Sequence, residues 1–218
     1  MIGSRRFTLL VHEPLVGEVD EGARLASVPE TLMTKGMFLA SLAARLSDAE
    51  ARTVQARLLA PPSHEKYQSF HQYPFHDALL WLHAVARREH PRASLLEGLR
   101  RLGRDMVRVF LESKTGRVVK TMILGPRESL LHMPQMWKVT DPMNEVVSEA
   151  VEEQAVRFEI HGFPGWIDCG VLGTLEQVVL NTGCAPSLDV SLHGTTRATI
   201  TVRWETHRGR MGTAPAAP

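Results

Sequence analysis

The sequence predicts an α+β domain in which an N-terminal helical half packs on a four-stranded antiparallel sheet of β-β-α-β-β order. Three observations carry this expectation. Apolar residues recur at helical spacing through the first two thirds of the chain. From Glu145 they alternate instead, as the faces of half-buried strands do. One helical stretch divides the alternating region into two pairs, and a sheet with one apolar face needs cover that the helical half can give. Residues 1–30 read as an arm or linker with a short strand over 5–12. Residues 31–206 read as one domain, with 31–144 helical and 145–206 forming the β-β-α-β-β half. The Gly-, Ala- and Pro-rich residues 207–218 read as a disordered tail.

In chain order, Met33, Met37, Phe38, Leu42 and Leu46 mark a helix from Thr31. A second helix is capped at Ser47 or Asp48 and ends near Leu59, before Pro61-Pro62. A polar loop over 63–73 leads to Pro74, which suits a first helical turn. Phe75, Ala78, Leu79, Leu82 and Ala86 then form a stripe up to His90-Pro91. Ser94 caps the clearest amphipathic helix, with Leu95, Leu99, Leu102, Met106, Val109 and Phe110 on one face. Gly98 and Gly103 interrupt it, at about 1 kcal/mol each against alanine, and predict close approach of a neighbouring helix. Residues 115–124 suggest a further helix. Gly125-Pro126 opens a short one from Arg127 to about His132, ended by Pro134, and Asp141-Pro142 is a turn.

In the second half, a strand over Glu145–Val151 turns at Glu152-Glu153-Gln154 into another that buries Val156, Phe158 and Ile160. Gly162-Phe163-Pro164-Gly165 breaks the pattern. Val171, Leu172, Leu175, Val178 and Val179 form a helix face stopped at Gly183. Leu188, Val190 and Leu192, then Ala198, Ile200, Val202 and Trp204, form a hairpin across a turn at His193-Gly194.

With 25 basic and 24 acidic residues the net charge is +1, so nothing draws the chain generally to nucleic acid or an anionic membrane. No apolar stretch approaches the roughly 20 residues of a membrane helix. Cys169 and Cys184 match no metal-ligand spacing. The expected setting is a reducing cytoplasm with free thiols.

The residue types that carry chemistry form no reactive constellation. His76, His83 and His90 lie about 10 Å apart along one helix face, too far for one metal, and read as a solvated face. Arg100, Arg101, Arg104 and Arg108 are interleaved with Glu97, Asp105 and Glu112, the pattern of an exposed, salt-laced helix. Neither Gly162-Phe163-Pro164-Gly165 nor Gly170-x-x-Gly173 matches a nucleotide fingerprint. There is no Gly-x-Ser-x-Gly elbow, and Asp168 beside Cys169 disfavours a thiolate. His132, on a short helix before the sheet, has the placement of an axial haem ligand, though such residues are more often surface or packing histidines.

Several stretches occur in a recognisable order: Tyr73-Pro74, His90-Pro91, Leu99-Arg100-Arg101-Leu102-Gly103-Arg104, Thr115-Gly116-Arg117, Leu124-Gly125-Pro126-Arg127, Gly170-Val171-Leu172 and Val202-Arg203-Trp204. Together they resemble a paralogous family of domains of unknown function from myxobacteria, over roughly Thr31 to Glu205. That family supplies no catalytic residue. The order of elements is also similar, at fold level, to haem-nitric-oxide-binding domains, vinyl-reductase-type domains and TRAPP subunits. This likeness implies a ligand held between helices and sheet, or a dimeric scaffold. His132 falls near where the haem-binding relatives place their ligand. Their Tyr-x-Ser-x-Arg motif is missing; the nearest segment is Gly165-Trp166-Ile167-Asp168-Cys169.

The resulting expectation is a non-enzymatic regulatory or sensor-type signalling module without a resident cofactor. It would bind a small apolar ligand, with Met106, Phe110, Phe158 and Trp166 as pocket-lining candidates, or a partner protein. The alternatives are a homodimeric scaffold without ligand, and a haem- or metal-dependent sensor using His132 or the His76/His83 region.

Overall fold

The alternation after Glu145 folds as two antiparallel hairpins, and the N-terminal segment adds a fifth strand to them. A computed structural model describes residues 4–17, 19–62, 66–112, 117, 125–140 and 144–206. The elements run β1 (Arg5–Leu10), α1 (Glu21–Ala26), β2 (Met33–Lys35), α2 (Gly36–Ala43), α3 (Asp48–Gln55), β3 (Gln72–Pro74), α4 (Phe75–Glu89), α5 (Leu95–Glu112), α6 (Pro126–Thr140), β4 (Glu145–Glu152), β5 (Ala155–His161), α7 (Gly170–Leu180), β6 (Cys184–Leu192) and β7 (Arg197–Thr206). The main sheet is antiparallel, with strand order β1-β6-β7-β5-β4. The expected four-strand sheet is thus corrected to five. The strand foreseen in the arm pairs with β6, setting Phe7 opposite Val190 and Leu9 opposite Leu188.

The central strands β5, β6 and β7 bury every second residue over most of their length, so one sheet face is core and the other is wet. Val156, Phe158, Ile160, Leu188, Val190, Ile200 and Val202 make up the core face and are buried. On the opposite face polar side chains pair across strands. Thr8 donates to Asp189 (2.8 Å), Arg203 to Glu152 (2.6 Å) and Asp189 (3.3 Å), and Arg157 to Glu149. Helices α6 and α7 cover the core face, α5 packs across α7, and α4 packs on α5.

The crossing of α5 and α7 is backbone to backbone. A Cβ at Gly103 would overlap the Gly170 carbonyl, and one at Gly173 would overlap the Arg100 carbonyl. Gly98 makes the matching close approach to Ala86 of α4. Glycines that cost helix propensity therefore bring three helices together. Ser94 caps α5 as expected: its hydroxyl accepts from the Glu97 N–H (3.1 Å) and donates to the Leu15 carbonyl (2.7 Å). Ser47 and Glu50 form a capping box at α3.

Further expectations are corrected. Met33–Lys35 is not helical; it pairs with Gln72–Pro74 as a two-stranded ladder, and Pro74 stands just before α4. Pro134 does not end its helix, which continues to Thr140. Arg100 is not on a solvated face. It is fully buried and donates to Glu176 (2.9 Å), Glu97 (3.1 Å) and the carbonyls of Glu13 (2.5 Å) and Leu10 (3.0 Å). Arg104 joins it on Glu176 (2.9 Å) and on the Val11 carbonyl. A buried carboxylate with two guanidinium partners compensates charges that would otherwise be costly, and it ties the exit of β1 to α5 and α7. His83 is likewise buried rather than solvated. Arg101, itself exposed, pairs with the buried Glu97 at the spacing the sequence implies (2.8 Å). The expected helix over 115–124 (Arg117 apart), the turn at Asp141-Pro142 and the tail over 207–218 lie outside the described residues. Among the described residues, no helix is long and apolar enough to cross a membrane.

Candidate functional site

The apolar stripe of α5 changes neighbours part-way along the helix. Leu99 and Leu102 are fully buried at the crossing with α7. One and two turns later, Met106 and Phe110 are only half-buried and face a hollow. The cavity measures about 430 Å3, within the 300–1,000 Å3 usual for small-molecule sites. Phe38 and Leu42 of α2, and Phe75 and Leu82 of α4, close one side; Met133, Met136 and Trp137 of α6, with Val178 of α7, close the other. Phe163 and Trp166, from the connection between β5 and α7, complete the floor. At the rim stand four exposed polar residues: Glu128, His132 and Gln135 of α6 and Asn181 after α7.

Two local features shape this wall. Pro134 has no N–H for the Leu130 carbonyl, yet α6 continues, because Trp137 packs edge-on against Phe158 (6.4 Å) and tilted on Phe163 (5.4 Å). Phe163 itself has φ of 52°, a left-handed conformation that is strained for a bulky residue. Such strain costs about 1–3 kcal/mol and persists only where surroundings impose it. Here Asn144 Oδ1 accepts from the Phe163 N–H (2.8 Å). Arg24 of α1 donates to the Gly165 carbonyl (2.6 Å) and pairs through both terminal nitrogens with Asp168 (2.8 Å each).

Of the four residues named from the sequence, Met106, Phe110 and Trp166 line the cavity. Phe158 does not; it lies fully buried on the sheet, behind Trp137. Sequence reasoning misses most of the α6 wall, because local rules make Pro134 a terminator. It misses Phe163 because a glycine- and proline-rich segment reads as a turn.

The other candidates resolve differently. His83 is 2% exposed and neither ring nitrogen has a hydrogen-bond partner. Burial, with Arg24 and Arg57 nearby, lowers its pKa from 6.5 to about 4. Glu21 Oε2 lies 3.4 Å from its Nδ1, but the other oxygen of that carboxylate is taken by Arg87. His76 Nδ1 lies 3.1 Å from Asp77 and does not converge with His83 on a shared site. Glu89, His90 and Asp105 place one potential ligand atom each within 4.8 Å of one another, but Arg45 already occupies both carboxylates. A polar cleft of about 490 Å3 beside His12, Glu97, Arg104 and Arg108 holds charges that are paired with neighbouring groups. Both cysteines are buried; burial and then Asp168 push the Cys169 thiol well above its ordinary range, against nucleophilic use.

Haem does not fit the described residues of the lining. His132 Nδ1 lies 2.7 Å from the Glu128 carbonyl, leaving Nε2 available. However, no lysine or arginine among the described residues lines the cavity to meet two propionates, and Glu128 would repel them.

The profile of a family described as "Protein of unknown function (DUF2378)" matches residues 27–205. No curated protein matches the sequence significantly. Solved structures share the fold. The Fe(II) unliganded H-NOX protein from K. algicida is 13% identical, with a TM-score of 0.62 over 80% of this chain and 98% of its own. A mutant of that protein is also 13% identical, with a TM-score of 0.63 over the same shares. A mutant of T. tengcongensis H-NOX is 14% identical, with a TM-score of 0.60 over 79% of this chain and 98% of its own. At such identity the likeness concerns the fold.

Proposed function

The chain belongs to the DUF2378 family, whose description assigns no activity, and we propose that it is a non-enzymatic, sensor-type module that binds a small apolar ligand in the cavity between α2, α4, α5, α6 and α7. One observation carries this reading: an apolar floor of about 430 Å3 under a polar rim, walled by a segment held in a strained conformation. The fold likeness to H-NOX proteins, among which are structures concerned with heme distortion, supports a ligand-holding role. The lining chemistry supports a different occupant, since no lysine or arginine among the described lining residues awaits a propionate. The chemistry of the rim supports binding rather than turnover: its exposed polar side chains are one carboxylate, one imidazole and two amides, without a nucleophile.

The test uses N-phenyl-1-naphthylamine, a neutral apolar fluorophore. We expect saturable, one-to-one binding with energy transfer from Trp137 and Trp166. Met106→Trp, which fills the cavity from its α5 wall, weakens binding at least about tenfold while the thermal midpoint holds. Absence of saturable binding, or equal binding by the variant, contradicts the reading.

A further inference from the structure

Among the described residues, the rim of the cavity is asymmetric in charge, and this selects among apolar ligands. Two ionisable side chains line the cavity among the described residues, Glu128 and His132, and neither lysine nor arginine joins them. Both stand exposed on the same edge of α6, one turn apart. The contact of His132 Nδ1 with the Glu128 carbonyl (2.7 Å) requires that nitrogen to donate. In the neutral ring Nε2 is then an acceptor. The Glu128 carboxylate accepts as well. The rim therefore offers two acceptors at its charged edge, while the amides of Gln135 and Asn181 can serve either role. Below it the floor is aromatic, aliphatic and methionine-lined. Methionines adapt to a flexible chain better than to a rigid plate.

We propose that the ligand is a medium-chain amphiphile whose head group donates hydrogen bonds and carries no negative charge, an alcohol or amine rather than a carboxylate. The chain lies along Met106, Phe110, Met133 and Trp166, and the head meets Glu128 and His132. A carboxylate head meets like charge at Glu128 and acceptors at both positions, with no lysine or arginine of the described lining to offset them. This inference rests on the cavity being the binding site.

Displacement of bound N-phenyl-1-naphthylamine by 1-decanol, decylamine and decanoate at neutral pH, below micelle formation, tests it. Decanol and decylamine are expected to displace the fluorophore at concentrations at least about tenfold lower than decanoate does. Glu128→Lys moves the order toward decanoate and away from decylamine. Glu128→Gln, a milder change at an exposed position, weakens displacement by decylamine relative to decanol. Decanoate displacing as readily as decanol overturns the head-group assignment and leaves the cavity reading standing. So does an order unchanged by both variants, each folded by circular dichroism. Displacement by none of the three also overturns the assignment. Failure of the fluorophore to bind wild-type protein removes the cavity reading, and this inference with it.

Discussion

His83 carries the clearest consequence of burying one ionisable side chain. Its ring is buried beside Glu21, and burial, with the charges of Arg24 and Arg57 added to it, lowers its pKa from 6.5 to about 4. In that interval the unfolded chain binds more protons than the folded one, so stability rises with pH. The contribution is complete above about pH 6.5 and is lost as pH falls through about 4. The urea midpoint of the wild type is therefore expected to fall between those limits, and His83→Gln to flatten the decline. Parallel profiles for both proteins contradict the assignment. The sequence shows three histidines spaced seven apart, which suggests a wet face. It cannot show that α1 folds back over one of them, because that contact joins residues about 60 apart. Arg100 repeats the lesson. Glu97 and Asp105 make it look like a surface residue, while its main partner, Glu176, lies on another helix.

Between elements, the decisive contact is the crossing of α5 and α7. Gly98 and Gly103 announce close approach in the sequence, since nothing else justifies two glycines in an otherwise clean amphipathic helix. What they cannot announce is the partner: α4 for Gly98 and α7 for Gly103. The reciprocal glycine, Gly173, places its hydrogen against the Arg100 carbonyl. Gly173→Ala should force the helices apart and cost about 1–3 kcal/mol, read as a lower urea midpoint at unchanged slope. Wild-type stability in that variant contradicts the crossing. Pro134 marks the opposite limit of legibility. Local rules end a helix there, and the aromatic packing of Trp137 on Phe158 and Phe163 overrides them.

At the scale of the whole molecule, the change of hydrophobic rhythm near Glu145 marks where the two hairpins of the main sheet begin, because the central strands bury one face over most of their length. The fifth strand is visible in the sequence only as a short apolar run. Its partner β6 lies at the far end of the chain, and a local pattern has no means to report that pairing. The cavity is half legible for the same reason. Met106, Phe110 and Trp166 are large apolar residues on helix and loop faces, but a pattern does not distinguish a wall facing a neighbour from one facing a space. The space arises because α5 outruns its contact with α7 while α6 continues past Pro134. The four tryptophans serve as built-in reporters. Trp137 and Trp166 line the cavity; Trp81 is hydrogen-bonded to Tyr67 (2.7 Å), and Trp204 lies on the last strand. The most direct test follows the four indole N–H resonances by two-dimensional NMR during titration with N-phenyl-1-naphthylamine. Binding in the cavity predicts that the Trp137 and Trp166 signals move and saturate together while Trp81 and Trp204 stay in place. Movement confined to Trp81 or Trp204, or of none of the four, contradicts it.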